Sequence, residues 1–485
     1  MRSCTRRTAV AIVALAALSV VGIAMMPHPA SASGVEIAML APGGAHTCAL
    51  TEAADVVCWG SNEFGQIGDG GACGEICRAP VPVCAAGATP PCTSSNGNVL
   101  QEVVSIDAGF DHTCVLTSAA ELKCWGDNAH GELGTEAGEL CGSEPFVSAC
   151  SRTPLDASNV TAEVTAIAGG DLHACAVTTA GGVKCWGSNE DGQLGDGTTT
   201  DSAIPVDVAG LANVVAISAG GFHTCAVSNE GGVVCWGRNV EGQIGDGRDC
   251  GMICPSPSAV SELDSGAASI TAAGLHTCVL TQGGGVKCWG FNFDGQVGDG
   301  TSNNIRIAPV AVSGLDSGVV DLSANGGFRG HSCAVLAVGP LKCWGDNADG
   351  QLGDGTTTDR HVPVDIVSLG SGVTAVAAGS AHTCAVLDSD NVHCWGNNSS
   401  GQIGDGTSVD RHVPVPVLGF GGATGDANCD ATVDSIDAAL LLQLDAGLVS
   451  SLDCPKNADV NEDGLTTSVD AALVLQFVAG LIPSL

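Results

Sequence analysis

A single unit repeated seven times constrains this chain more than any other feature it has. His-x-Cys recurs at His46/Cys48, His112/Cys114, His173/Cys175, His223/Cys225, His276/Cys278, His331/Cys333 and His382/Cys384. Ten residues after each of these cysteines stands another, always followed by Trp-Gly: Cys58, Cys124, Cys185, Cys235, Cys288, Cys343 and Cys394. All seven tryptophans, Trp59 through Trp395, occupy this position. Each unit opens with a short β-branched segment such as residues 214–217, then Ala-Gly and the His-x-Cys stretch, a turn rich in Gly, Asp, Asn and Ser, and the Cys-Trp-Gly stretch. A glycine-rich run such as 187–197 and a short closing segment such as 204–208 complete it. Strand-length runs broken by glycine imply tight bends rather than helices. Prolines near the closing segment suit an outer edge, where a missing N–H costs nothing.

Successive histidines lie 66, 61, 50, 53, 55 and 51 residues apart. A unit of about 50 residues with four short strands is a blade, and seven blades close radially into a propeller. Closure removes the unpaired sheet edges that the rival architecture, an open solenoid, would expose. The units run whole from about residue 35 to 418, so the spacing predicts that no blade is assembled from the two ends.

The paired cysteines have a mechanical reading. A hairpin would set Cys48 opposite Cys58, and directly opposed cross-strand Cα atoms lie about 4.5–5.5 Å apart, within disulfide reach. Zinc is the competing reading, although three ligands per unit, seven times over, fit a zinc site poorly. The histidines, one per blade at one strand position, read as hydrogen-bonding anchors of buried turns. The tryptophans read as core between blades. Extra length in units one, two and four falls between the glycine-rich run and the closing segment, and there the pattern suggests local pairs at Cys73/Cys77, Cys84/Cys92, Cys141/Cys150 and Cys250/Cys254. Equivalent insertions share one side of a propeller, which makes the loops of blades one and two the candidate recognition surface.

These residues resemble the regulator of chromosome condensation type 1 repeat family. The matching pattern is Ala219-Gly220-x-x-His223-Thr-Cys225, then Cys235-Trp-Gly-x-Asn239-x-x-Gly242-Gln243-Ile-Gly245-Asp246-Gly247, with six parallels. The resemblance spans about 35–418 and implies a rigid seven-bladed disc that presents loops. Unit two departs from it at Gly131-Glu132-Leu-Gly-Thr135, losing the Gln and the Asp-Gly. The family includes a nuclear nucleotide-exchange factor that engages chromatin, and secreted bacterial members that bind other proteins.

The N-terminus and the charge choose between those roles. Arg2, Arg6 and Arg7 precede an apolar run from Thr8 to Met26, and Ala30-Ser-Ala32 offers a small-x-small cleavage site. Residues 1–32 thus have the form of a secretory signal, with an uncleaved anchor as the alternative. Its removal leaves no transmembrane segment in the mature chain and 24 of the 25 cysteines, an even number suited to a disulfide framework. With 16 Lys and Arg against 52 Asp and Glu, the formal charge of −36 disfavours nucleic acid and anionic lipid. We expect a secreted or cell-surface protein with no nucleic-acid partner and no small GTPase.

After Val417 the texture changes. Residues 419–425 read as a linker and 426–485 as a separate module. Asp426, Asn428, Asp430, Thr432, Asp434 and Asp437 stand at positions 1, 3, 5, 7, 9 and 12 of a loop, Thr432 serving through its backbone carbonyl. Asp459, Asn461, Asp463, Leu465, Thr467 and Asp470 repeat the register 33 residues on, Leu465 again by its carbonyl. A 12-residue loop of this spacing wraps Ca²⁺ with hard oxygens, so the two loops predict two ions. Each runs into an apolar segment, 438–444 and 471–477, expected to be helical. Ala431 stands where such a loop has Gly, and position 12 is Asp rather than Glu.

The pair resembles a type I dockerin, whose family docks cohesin modules in cell-surface or polysaccharide-degrading assemblies. The resemblance covers about 426–481 and implies a cohesin-like module or other cell-surface protein as partner, with packing inside the chain as the alternative. Cys429 and Cys454 are expected to pair. Before ions bind, the loops crowd carboxylates together, so folding of this module should depend on calcium.

The expected fold class is an all-β seven-bladed β-propeller, followed by a small α-helical dockerin or EF-hand-like calcium-binding domain. The expected function is non-enzymatic, a scaffold whose propeller binds a protein or a glycan while the C-terminal module mediates attachment or assembly. The chain has no H-E-x-x-H or G-x-S-x-G, no acid pair that stands out from the repeat, and no Lys-Ser/Thr after its glycine-rich runs. The alternatives are a polysaccharide-acting enzyme borne by the dockerin, or a purely structural cell-envelope protein.

Overall fold

Short runs with one buried side chain in two, broken by glycine, can only satisfy their backbone by pairing with their neighbours, and they do so as seven small antiparallel sheets. The computed structural model describes residues 37–420 apart from 94–96, 137–138, 143–146, 159, 161–163, 328, 368, 370–371 and 388–390; beyond 420 it describes 427, 433, 435–449, 452, 460, 466–479 and 481. Blade one consists of Ile37–Pro42, His46–Thr51, Val56–Ser61 and Ile76–Pro82, hydrogen-bonded in sequence order. Blade seven runs through Val373–Ala378, His382–Leu387, Val392–Gly396 and Arg411–Pro416 in the same order, so both are continuous in sequence. Blade two alone has five strands, because Glu139–Cys141 of its insertion pairs outside Ser148–Asp156. The fold is the seven-bladed propeller that the repeat predicts.

The second strand of blade one is buried along its whole length, and Trp59 on the third strand is fully buried. Each tryptophan fills the space behind it. Trp125 of blade two packs with Ile67, Val83 and Val103 around blade one, and Trp59 packs with Val392, Ile403 and Val417 of blade seven, which closes the ring. The glycine after each tryptophan has a steric cause: Gly60 has φ +108°, and a Cβ there would lie 2.6 Å from Ala45 O and from His46 Cα. The chain can pass that point, where the third strand is bulged against the fourth, only without a side chain.

Register sets Cys48 directly opposite Cys58, and the bond between them spans a Cα–Cα distance of 4.1 Å. The same pairing recurs at 114–124, 175–185, 225–235, 278–288, 333–343 and 384–394. The insertions are stapled as expected at 73–77, 84–92, 141–150 and 250–254. With the sulfurs bonded to each other, the zinc reading of the hairpin cysteines is set aside.

Past the propeller lie helix α1, Ser435–Asp445, and helix α2, Ser468–Val478, which pack on each other. Their core is Ala438, Leu441, Ala471 and Val474 with Ala427 and Val460. A capping box starts α2: Thr467 Oγ1 accepts from Val469 N, and Asp470 accepts from Thr467 N at 2.8 Å. No helix among the described residues is long and apolar enough to cross a membrane. The expected signal, 1–32, and the Cys429/Cys454 pair lie outside the described residues.

Candidate functional site

Three arrangements could carry function: the belt between blades, the cleft between the inserted loops, and the C-terminal module. The belt is built from the histidines. His46 Nε2 lies 2.9 Å from Thr113 Oγ1 of the next blade, and His173, His223, His276 and His331 reach Thr224, Thr277, Ser332 and Thr383 at 2.7–2.9 Å. His382 meets Thr47 at 2.8 Å, which joins the last blade to the first. These hydroxyls donate onward to a main-chain carbonyl, Thr224 to Gln193 O at 2.9 Å and Thr47 to Gln402 O at 3.0 Å. A hydroxyl has one proton, so it must accept from the imidazole, and the rings are therefore Nε2–H tautomers. The same carbonyl takes the tryptophan N–H, Trp236 Nε1 to Gln193 O at 2.9 Å. Burial, with smaller effects from neighbouring histidines, pushes His46, His173, His223, His276, His331 and His382 down to about 3 and keeps them neutral. The histidines are hydrogen-bonding anchors as expected, but they fasten the next blade rather than their own turn. The sequence signal was present in the residue after each histidine, a Thr or Ser in every unit but one, where it is Ala174.

The loops of blades one and two, expected to share one side of the propeller, also meet each other. Between them lies a cleft of about 170 Å³ lined by Asn62, Glu63, Gly71, Gly74, Glu75, Gly142 and Arg152. Gly142 N donates to Glu63 O at 3.1 Å, and Arg152 is held to Glu139 at 3.1 Å. Both walls carry a disulfide, Cys73–Cys77 and Cys141–Cys150. The result is a stiff, polar, mainly acidic notch. Asp69 comes near Cys73 and Cys77, as Asp246 does near Cys250 and Cys254, which are ligand types for a metal. The Asp69 carboxylate is already filled, however, by N–H groups of Asn62, Gly71 and Cys73. Asp196, Asp354 and Asp405 receive the equivalent asparagine without cysteines beside them. This contact is a turn fastening common to the blades.

In the C-terminal module the structure describes three of the twelve predicted ligands. Asp437 and Asp470 are both fully buried at equivalent places, each accepting a backbone N–H from the start of its own loop at 2.9 Å: Ala427 N for Asp437 and Val460 N for Asp470. Thr467 caps α2. Asp426, Asn428, Asp430, Thr432, Asp434, Asp459, Asn461, Asp463 and Leu465 lie outside the described residues. A buried carboxylate tied to the second residue of a loop is compatible with a hard cation in that loop. Sequence reasoning missed the outer surface of the helices. Ile436 and Val469, Leu442 and Leu475, and Leu448 and Leu481 are three exposed apolar pairs 33 residues apart.

Known families match along most of the chain. The RCC1-like domain matches residues 22–329, the regulator of chromosome condensation (RCC1) repeat matches 343–386, 373–402 and 389–427, and the dockerin type I domain matches 424–479. The ultraviolet-B receptor UVR8 of Arabidopsis thaliana is 31% identical over 409 residues, covering 82% of this chain and 86% of that protein. The human E3 ubiquitin-protein ligase HERC2 is 29% identical over 301 residues, which is 61% of this chain but 6% of HERC2. Among solved structures, human WBSCR16 superimposes with a TM-score of 0.60 at 25% identity, covering 72% of this chain and 86% of that one. Yeast RCC1 (Prp20) bound to Kap60 gives 0.63 at 19% identity, covering 85% and 91%.

Proposed function

Because the chain belongs to the regulator of chromosome condensation repeat family and carries a dockerin type I domain, we propose that it is an exported, non-enzymatic recognition scaffold. Its propeller binds a protein or a glycan through the loops of blades one and two, and its C-terminal module docks onto a cohesin-like partner. Two Ca²⁺ ions are held by the two sets of loop residues, and they supply the positive charge that lets the acidic loops close. The many disulfides and the dockerin support export, where neither nucleic acid nor a small GTPase is a partner.

The observation that carries this reading is the duplicated apolar set on the two helices and just past their C-terminal ends. Ile436 and Val469 are 55% and 54% exposed, Leu442 and Leu475 are 45% and 43%, and Leu448 and Leu481 are 76% and 74%. Apolar residues matched in both place and exposure across two copies of a motif suit a surface kept for a partner. The buried Asp437 and Asp470 each take the backbone N–H of Ala427 or Val460, which ties the start of each loop to the helix that carries part of this surface.

Calorimetry of the full chain with Ca²⁺, followed by a panel of cohesins, tests the proposal. Two calcium equivalents and then cohesin binding are expected, and Ile436→Asp with Val469→Asp should abolish the second step without touching the first. No calcium uptake would overturn the C-terminal reading. Uptake with no cohesin bound would move attachment to packing inside the chain.

A further inference from the structure

The seam between blades two and three departs from its sisters on both sides at once. Blade three offers Ala174 where the other blades offer a hydroxyl, and His112 Nε2 is left buried without a hydrogen-bond partner. Facing it, Glu132 stands where the other blades carry Gln66, Gln193, Gln243, Gln296, Gln351 and Gln402.

The glutamines show what that position does. The side-chain oxygen accepts the N–H two residues earlier, as Gln351 does from Asp349 N at 3.0 Å. In four of the six the side-chain nitrogen donates to the residue five earlier, as Gln193 does to Ser188 at 3.3 Å, Gln402 to Asn397 at 2.9 Å and Gln351 to Asp346 at 2.7 Å, while Gln243 and Gln296 donate to the acid two earlier. Glu132 keeps the first contact, with Oε2 accepting from His130 N at 2.9 Å. Its Oε1 then occupies the donor's place, and the residue five earlier is Asp127. Glu132 is 1% exposed and its Oε1 has no hydrogen-bond partner among the described residues. Gln351 against Asp346 is the direct comparison, the same pair of positions with a donor present. Asp127 stands there as an acceptor, already taking the Ser148 hydroxyl.

We propose that Glu132 is protonated in the folded protein and donates to Asp127, which makes the blade two–three seam a pH-sensitive joint, closed when the proton is present and loosened when it is lost. The groups around it agree. Burial chiefly, with Asp127 adding, pushes Glu132 up to about 7. His130 on the same loop opposes this, but it is partly occupied by Asp201 of blade three at 3.4 Å. Asp111 stands beside Asp127 and is itself pushed up to about 7 by burial, Asp127, Glu63 and Asp171. From blade three, Trp186 Nε1 reaches only the Glu132 carbonyl, at 2.7 Å. A carboxyl whose pKa is raised on folding is fully stabilising below its unfolded value, and that stability is lost as the pH rises through the folded one. The seam therefore weakens between about pH 4.5 and pH 7, and stays weak above.

Hydrogen exchange of the full chain in saturating calcium, at pH 6 and pH 8.5 and corrected for intrinsic rates, reads this seam against its sisters. Peptides covering 126–135 and 173–187 should open on the order of tenfold more on raising the pH than those covering 187–196 and 223–237. Glu132→Gln, the residue six sister blades already accommodate, should remove that excess and protect the seam at pH 8.5. Equal pH response at both seams would overturn the proposal, and so would an excess that survives Glu132→Gln.

Discussion

Each propeller blade carries its own disulfide across its central hairpin and shares a tryptophan and a carbonyl with its neighbour, and at six of the seven seams a histidine as well, whereas the C-terminal module rests on two 11-residue helices over a core of small side chains. The propeller is therefore fastened twice, covalently within blades and by neutral buried hydrogen bonds between them. Most of its acidic residues lie on the surface and in the loops, while Asp107, Asp111, Asp171 and Glu132 are buried carboxylates held above their usual range. The module differs in the crowding of its acids, which cluster in the two segments leading into its helices, with Asp437 and Asp470 buried in the first helical turns. Removing calcium should therefore break the module and spare the propeller.

Calcium removal is the largest test of that contrast. The tryptophans all lie in the propeller, and the helices among the described residues all lie in the module, so two signals separate the regions in the intact chain. Chelation should abolish the helical circular dichroism and leave tryptophan emission unchanged. Helical signal that persists in chelator would show that the module's core suffices without ions.

Acid reaches the propeller too, besides protonating the carboxylates on which the module's calcium depends. The seven belt histidines are neutral in the fold at about 3 to 4, against 6.5 when unfolded. The unfolded chain therefore gains protons first, and propeller stability falls as the pH drops from 6.5 toward 3, by up to about 1.4 kcal/mol per pH unit for each histidine. Asp107, Asp111, Asp171 and Glu132, all raised by burial to about 6 or 7, run the other way and offset part of the loss. Tryptophan emission followed from pH 7 to pH 3 should report unfolding in the lower half of that range. A propeller unmoved at pH 3 would mean that the rings are not the neutral donors the belt requires.

Removing one staple is milder. Cys225→Ala with Cys235→Ala frees a loop of 10 residues, and the chain-entropy effect of such a loop is about 2–3 kcal/mol. Denaturant unfolding read by tryptophan should show that loss, while calcium uptake stays as in the parent chain.

The blade count, the hairpin disulfides and the stapled loops were legible because each depends on a residue type at a fixed interval. Cys48 and Cys58 can only be opposed if the hairpin between them is tight, and seven copies leave one closed architecture. The belt was harder to read. A histidine says that a hydrogen bond exists but not which way the ring turns, and the partner sits in the next blade, 51 to 67 residues away from the bond it makes in each sequential pair. The exposed apolar pairs on α1 and α2 were hidden for another reason: Leu441 and Leu442 look alike in sequence, and only the packing buries the first and exposes the second.

The smallest effect sharpens the comparison within the propeller itself. Thr224 bridges His173 Nε2 and Gln193 O, while Ala174, its counterpart one blade back, bridges nothing. Thr224→Val should strand the buried His173 N–H and cost about 1–3 kcal/mol. Ala174→Thr should do the reverse, giving His112 Nε2 an acceptor and the Glu132 carbonyl a second donor for a gain of about 1 kcal/mol. The backbone at this site is that of its sisters, since Ala174 pairs with Trp186 in the register by which Thr224 pairs with Trp236, so the hydroxyl has a place to go. Denaturant midpoints of the two variants decide the matter. If both fall, the seam has repacked around alanine and the belt is complete in a form that needs no hydroxyl there. If Thr224→Val falls and Ala174→Thr rises, the seam between blades two and three is an open link in an otherwise closed ring.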